Sequence, residues 1–197
     1  MKYIISSAIL AIASTAVLFA QNNSTDSSVK YFDMGKSIKF CDTEYKFAWS
    51  THPYDFYYMQ EYLPDGETFD NYTQMFTVGV IFYGDAPYNS EVAVQAKINE
   101  LEERKKTDKV CRYIIAKNDG EYIVDFIVSD SKDEKLNFVE ADIHYYKDVT
   151  INGIKANVLY FYSRRAYGDD IIPFMKSIPS LRNEWYENIT KLPLPKF

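Results

Sequence analysis

Two dipeptides constrain this chain most: Asp119-Gly120 and Asn152-Gly153 each interrupt long runs of β-branched and aromatic residues. Asp-Gly and Asn-Gly supply two consecutive residues that tolerate positive φ, which is the geometry of a tight hairpin turn. They predict four antiparallel strands over 109–116, 121–129, 136–147 and 154–164. Within the second of these, Tyr122, Val124, Phe126 and Val128 alternate with Ile123, Asp125, Ile127 and Ser129. Side chains on a strand point alternately up and down, so one face is wholly apolar and the other mixed.

The first half reads similarly. Strands are expected over 37–40 and 44–50 around Cys41-Asp42-Thr43, and another over 54–63. The latter stops at Pro64-Asp65-Gly66, a turn with Pro at its second position. Residues 68–75 are expected to form two helical turns capped by Thr68, ahead of a strand over 76–83. The clearest helix spans 91–106, where Val94, Ile98 and Leu101 make one apolar stripe. Asn89 or Ser90 can cap it, and Arg104, Lys105 and Lys106 suit its negative end. Glu100–Arg104 and Glu102–Lys106 are spaced to pair along it. A second helix carries Ile178, Leu181, Trp185 and Ile189, with Pro179 near its start and Pro193-Leu194-Pro195 ending it. Strands, helix, four strands, helix is the order of an α+β fold: an antiparallel sheet with helices packed on one face.

The amino terminus reads as an export signal. Lys2 precedes an apolar and small-residue run over 4–20, and polar Gln21-Asn22-Asn23-Ser24 follows. The expected organisation is a signal peptide (1–20), a flexible leader (21–30) and a single α+β domain (31–197), exported to the periplasm or medium. The run is short for a membrane span, and no basic stop-transfer segment follows, so no stable membrane anchor is expected. Cys41 is the first cysteine, far from the junction, which argues against a lipid anchor. The whole chain carries −6, and losing one lysine and no acid with the signal takes it to −7. Such a surface disfavours nucleic acid and anionic headgroups. The chain holds 18 Tyr, 13 Phe and 2 Trp. That abundance suits either a Tyr-rich sheet or an aromatic binding face.

Few residues suggest chemistry. Glu140, Asp142 and His144 share one strand face, so a carboxylate beside an imidazole could orient a base. A hydrolase built on Asp142 and His144 would need a neighbour such as Asp125 or Ser163 on adjacent strands. The plainer reading is the solvent face of an antiparallel strand. Arg164 and Arg165 could clamp an anion, or serve only as surface ion-pair partners. Cys41 and Cys111 admit one disulfide in an exported chain, or two small buried hydrophobes in strands. There is no Gly-rich phosphate loop, nucleophile elbow, Cys-x-x-Cys or calcium loop. No cofactor or metal is expected.

The most distinctive string is Glu61-Tyr62-Leu63-Pro64-Asp65-Gly66-Glu67, followed by Phe69, Tyr72 and Met75. It resembles an E-Y-[LV]-P-x-G-E segment, followed by an aromatic and a Met, in small uncharacterised secreted bacterial proteins. Tyr72 stands where those proteins commonly carry Trp. The order of strands and helices also resembles the PsbP-like class of small α+β domains. Neither resemblance implies catalytic residues, because fold does not give function. The expected function is an exported binding or accessory protein, with a protein partner ranked above a glycan and Tyr72, Arg164 and Arg165 as candidate contacts. The alternatives are the Asp142/His144 hydrolase and a periplasmic inhibitor or immunity-type protein for a basic partner.

Overall fold

A computed structural model describes residues 29–197 apart from 133–134. The expected signal peptide and most of the leader lie outside these residues. The chain runs β1 (Ser37–Phe40), β2 (Thr43–Tyr54), β3 (Tyr57–Pro64) and β4 (Gln74–Phe82), then α1 (Ser90–Arg104). It continues through β5 (Arg112–Asn118), β6 (Glu121–Lys132), β7 (Lys135–Ile151) and β8 (Ile154–Tyr167). A 3-10 turn (Gly168–Asp170) leads into α2 (Ile171–Ile189). The strands form one sheet in the order β1-β2-β3-β4-β8-β7-β6-β5. Two four-stranded meanders meet where β4 pairs antiparallel with β8, from Gln74↔Arg164 to Phe82↔Ala156.

Turn chemistry sets these reversals. Asp119-Gly120 and Asn152-Gly153 both take positive φ, as their hairpins require. Cys41-Asp42 does the same between β1 and β2, with φ of 45° and 59°. Cys41 is therefore a turn residue, not a strand hydrophobe. Elsewhere the local expectations need correction. Asp55-Phe56 breaks the expected strand over 54–63, because β2 runs on to Tyr54 and turns back there. The Pro64 turn closes by Glu67 N–H donating to the Pro64 carbonyl, which puts Pro64 first in the turn rather than second. Residues 68–73 are turns and bends, not a helix. Glu67 takes their donors instead, accepting from the Thr73 N–H at 2.7 Å, the Thr73 hydroxyl at 2.6 Å and the Gln74 N–H at 3.1 Å. α2 begins two turns earlier than expected, so Pro179 lies inside it.

The fold-class expectation is overturned. The described residues are 51% strand and 22% helix, a sheet-dominated architecture rather than α+β with helices on one face. The two helices also lie on opposite faces. Tyr122, Val124, Phe126 and Val128 of β6 pack in one core with Ala93, Val94 and Leu101 of α1. Ile123 of β6 packs in the other core with Phe174, Ile178 and Trp185 of α2. The physical reason is that β4, β7 and β8 are apolar on both faces (Val78 and Ile81, Tyr145 and Tyr146, Tyr160 and Leu159), so each face needs a cover. The mixed face of β6 is the one under α2. There Asp125 meets Arg182 at 2.6 Å and accepts from the Tyr186 hydroxyl at 2.8 Å.

α1 starts as its sequence suggests: Asn89 caps it, its side chain accepting from the Val92 N–H at 3.0 Å. The expected i,i+4 pairs do not form. Lys97, Lys105 and Lys106 pair at i,i+3 with Glu100, Glu102 and Glu103, and Arg104 reaches forward to Asp108. Among the described residues no helix is long and apolar enough to cross a membrane.

Candidate functional site

The face of the sheet under α1 is not uniformly apolar. A chamber of about 80 Å³ lies between the helix and the sheet. β3 contributes Glu61 to it, β4 contributes Met75 and Thr77, and β8 contributes Phe161 and Ser163. Glu140, Asp142 and His144 enter from β7, Phe126 and Val128 from β6, and Lys97, Glu100, Leu101 and Arg104 from α1.

Strand register brings these groups together. Glu61 faces Thr77, Thr77 faces Phe161 and Phe161 faces His144, a row across four strands. Asp142 faces Ser163 in the row beside it. The reading of the Glu140–His144 face as solvent-exposed is therefore overturned. Glu140, Asp142 and His144 are all buried, because α1 covers the face that a bare edge of the sheet would have left open.

Each candidate from the sequence has a definite position. The Ser163 hydroxyl donates to Asp142 at 2.5 Å. His144 stacks on Phe161 with ring centroids 3.8 Å apart, and its Nδ1 lies 3.3 Å from the Tyr146 hydroxyl. Burial, and then the Lys97 charge, hold the imidazole well below its usual range, so it is neutral. Asp125 lies on the opposite face and cannot assist. Arg164 and Arg165 also face opposite ways and form no anion clamp. Arg164 lies over Phe174 of α2, whereas Arg165 is sandwiched between Tyr72 and Phe138 and bonded to Glu140. Tyr72 is buried, its hydroxyl donating to Glu140 at 2.8 Å, so it is no surface contact. Cys41 and Cys111 are both free. Cys41 packs against the α2-side core and Cys111 lies in the α1-side core, with the sheet between them.

The residue the sequence reading missed is Glu61. It is 3% exposed, and its Oε2 has no partner among the described residues. Burial pushes its carboxyl up to about 8. Asp142 is similar: its Oδ1 takes the Ser163 bond, while its buried Oδ2 has no partner among the described residues. Burial, and then the Glu140 charge, raise it well above the usual carboxylate range. Lys97, 6% exposed, was missed as well. Its ammonium meets Glu100 at 2.8 Å and lies over the Phe126 ring. Both had a signal. Glu61 shares a face of β3 with Met59 and Leu63, and Lys97 falls between Val94 and Leu101 on the apolar stripe of α1. A charge in a core register is the pattern that marks a buried polar site.

Chemically, this is a small polar chamber with aromatic walls and two carboxyl groups whose remaining lone pairs are unmet. Among the described residues no three His, Cys, Asp or Glu side chains are grouped to hold a metal ion. A protein-family model matches residues 32–194, most of the described chain. No curated protein matches the chain, and no solved structure does.

Proposed function

The chain belongs to the uncharacterised family whose model spans the whole sheet and both helices, and on that premise we propose that it is an exported binding protein, not an enzyme. Its ligand is a small polar molecule or side-chain head taken into the chamber beneath α1. The observation that carries this reading is the two buried carboxyl oxygens, Glu61 Oε2 and Asp142 Oδ2, that no group of the described residues satisfies. A buried acceptor left unmet costs roughly 1–3 kcal/mol, so a ligand that supplies a donor gains that much on entering. The wiring disfavours hydrolysis. The Ser163 hydroxyl donates its hydrogen bond to Asp142, a carboxyl that burial keeps protonated, and among the described residues His144 has no bond to Ser163, so no base is placed to activate a nucleophile. Export rests on the amino-terminal run, and the likeness of Glu61–Glu67 to a segment of secreted bacterial proteins supports it.

Thermal-shift screening against small polar molecules tests the reading. A hit should raise Tm in the wild-type protein and lose its effect in Thr77→Ile, which fills the chamber from β4. Turnover of an ester, glycan or peptide that vanishes in both His144→Gln and Asp142→Asn would restore the hydrolase alternative instead.

One observation favours a second reading, a protein partner. β5 is an edge strand whose residues are all exposed except half-buried Tyr113, including Ile114 and Ile115. Among the described residues its outer N–H and C=O groups have no strand beside them, so an extended segment could add there. Synthetic strands binding wild type but not Ile115→Pro would favour it.

A further inference from the structure

We propose that β5 takes up an extended segment of a partner protein as a further strand of the sheet, and that this segment carries acidic side chains on either side of an apolar centre. The proposal rests on the strand-addition reading above and assigns the chemistry of the partner.

The two edges of the sheet are unlike. β1, at one edge, is four residues long, and its Ile38 and Phe40 are buried. β5, at the other, is seven residues long and carries neither Pro nor Gly. It pairs with β6 from Arg112↔Ile127 to Asn118↔Glu121 without a bulge. Shortness, Pro and bulges are usual means of blunting an edge, and β5 has none of them. Register also divides its two isoleucines between the faces. Ile115 lies beside Val124 of the α1-side core, and Ile114 lies beside Asp125 on the α2 side. They remain 44% and 51% exposed, so one added strand with an apolar centre covers both.

Charge selects the partner. The whole chain carries −6, which by itself favours a basic partner, yet residues 109–118 hold Lys109, Arg112 and Lys117 and no acid. The acids that border β5 are matched by other cations: Glu102 by Lys105, Asp108 by Arg104, Glu121 by Lys147 and Asp125 by Arg182. Arg112 donates to the Lys109 and Cys111 carbonyls at 3.1 and 2.6 Å, and the Lys117 ammonium lies over the Tyr122 ring. Both residues are exposed, and neither forms an ion pair among the described residues. A second copy of this chain is a poor occupant. Antiparallel pairing that joins Ile114 to Ile115 across a two-fold axis also sets Arg112 opposite Lys117, and like charges directly opposite repel. An acidic segment reverses that sign. Laid antiparallel on β5, it carries one acid opposite Lys117 and one opposite Arg112, with β-branched residues between them opposite Ile114 and Ile115.

The test is an NMR and hydrogen-exchange titration of the 15N-labelled protein with two capped peptides, Thr-Glu-Thr-Val-Val-Thr-Glu and its counterpart with Lys in place of both Glu. The acidic peptide should slow exchange at alternate amides of Arg112–Asn118, those whose N–H points away from β6. It should bind about tenfold more tightly than the lysine peptide, and the preference should shrink in high salt. The double variant Arg112→Glu/Lys117→Glu, changed only at exposed positions, should reverse the preference. The acidic peptide N-methylated along the edge that meets β5 should not bind, because it cannot donate to the strand. Equal binding of both peptides would leave strand addition standing and overturn the acidic assignment. Binding without protection of alternate amides would reduce the contact to a charged patch and overturn the proposal. If neither peptide binds, strand addition by a partner falls with it. A dimer that forms through β5 and is dissolved by Ile115→Pro, with no peptide bound, would put a second copy there instead.

Discussion

Arg165 and Glu61 show how differently two buried charges can be treated in one core. Arg165 is matched: Glu140 takes its charge, Tyr72 and Phe138 cover its two faces, and Tyr72 adds a second bond to Glu140. Arg165→Met would leave Glu140 buried beside an apolar chain, and breaking such a pair from one side costs roughly 3–5 kcal/mol. Urea unfolding of the variant measures this directly, and Glu140→Gln added to it should recover part of the loss. Glu61 is unmatched, and its raised carboxyl has a sign. The folded protein holds this proton more tightly than the unfolded chain, so the associated stability is full at acidic pH. It drains away as pH rises through about 8. We expect wild type to lose roughly 2–4 kcal/mol relative to Glu61→Gln between pH 5 and 9. Parallel curves for the two proteins would contradict the burial of an unpaired carboxyl.

Local elements carry their own strains. The loop after Pro64 is held by Glu67 rather than by helical bonds, and its aromatics turn inward onto a small cluster of Leu63, Tyr72 and Met75. Phe69 packs on this cluster but is only half-buried. Phe69→Ala should therefore destabilise by roughly 1–3 kcal/mol, below the 3–5 typical of a fully buried ring. A Tm equal to wild type would mean that the ring belongs to a surface patch. In α2, Pro179 cannot donate the backbone bond that a helix interior calls for. It adjoins Ile178, which faces the core, while residue 179 itself is exposed. Pro179→Ala should restore the bond without disturbing packing and raise stability by roughly 1–3 kcal/mol in the same unfolding assay.

The whole molecule depends on two cores separated by one sheet. On the α2 side, Trp185 is 2% exposed and meets Tyr162 edge-on at 5.3 Å. Trp185→Ala should cost roughly 3–5 kcal/mol. Because the chamber is on the other face, the variant should still respond to a thermal-shift hit at temperatures where it is folded. The two ends of the described segment are fastened to this same body. The backbones of Asp33 and Lys196 exchange hydrogen bonds at 2.8 and 3.1 Å. Buried Gln60 accepts from the Tyr31 N–H at 2.7 Å and donates to the Tyr62 hydroxyl at 2.6 Å.

What the sequence determined by itself is what nearest neighbours along the chain decide. Asp119-Gly120 and Asn152-Gly153 make hairpins because few other dipeptides tolerate two positive φ values, and β6 alternates because side chains on a strand must. Asn89 caps α1 for an equally local reason. The helix expected over 68–75 failed because Glu67, a neighbour outside the propensity pattern, took the donors that helical bonds would have used. Only the tertiary structure decided which face each helix covers, since both faces of the central strands are apolar and either would accept one. It also decided the site. Glu61 and Asp142 are far apart in sequence and line one chamber only because β4 and β8 join the two meanders in one register. That placement depends on pairings across the whole sheet, and burial under α1 then turns two ordinary carboxylates into groups that hold their protons.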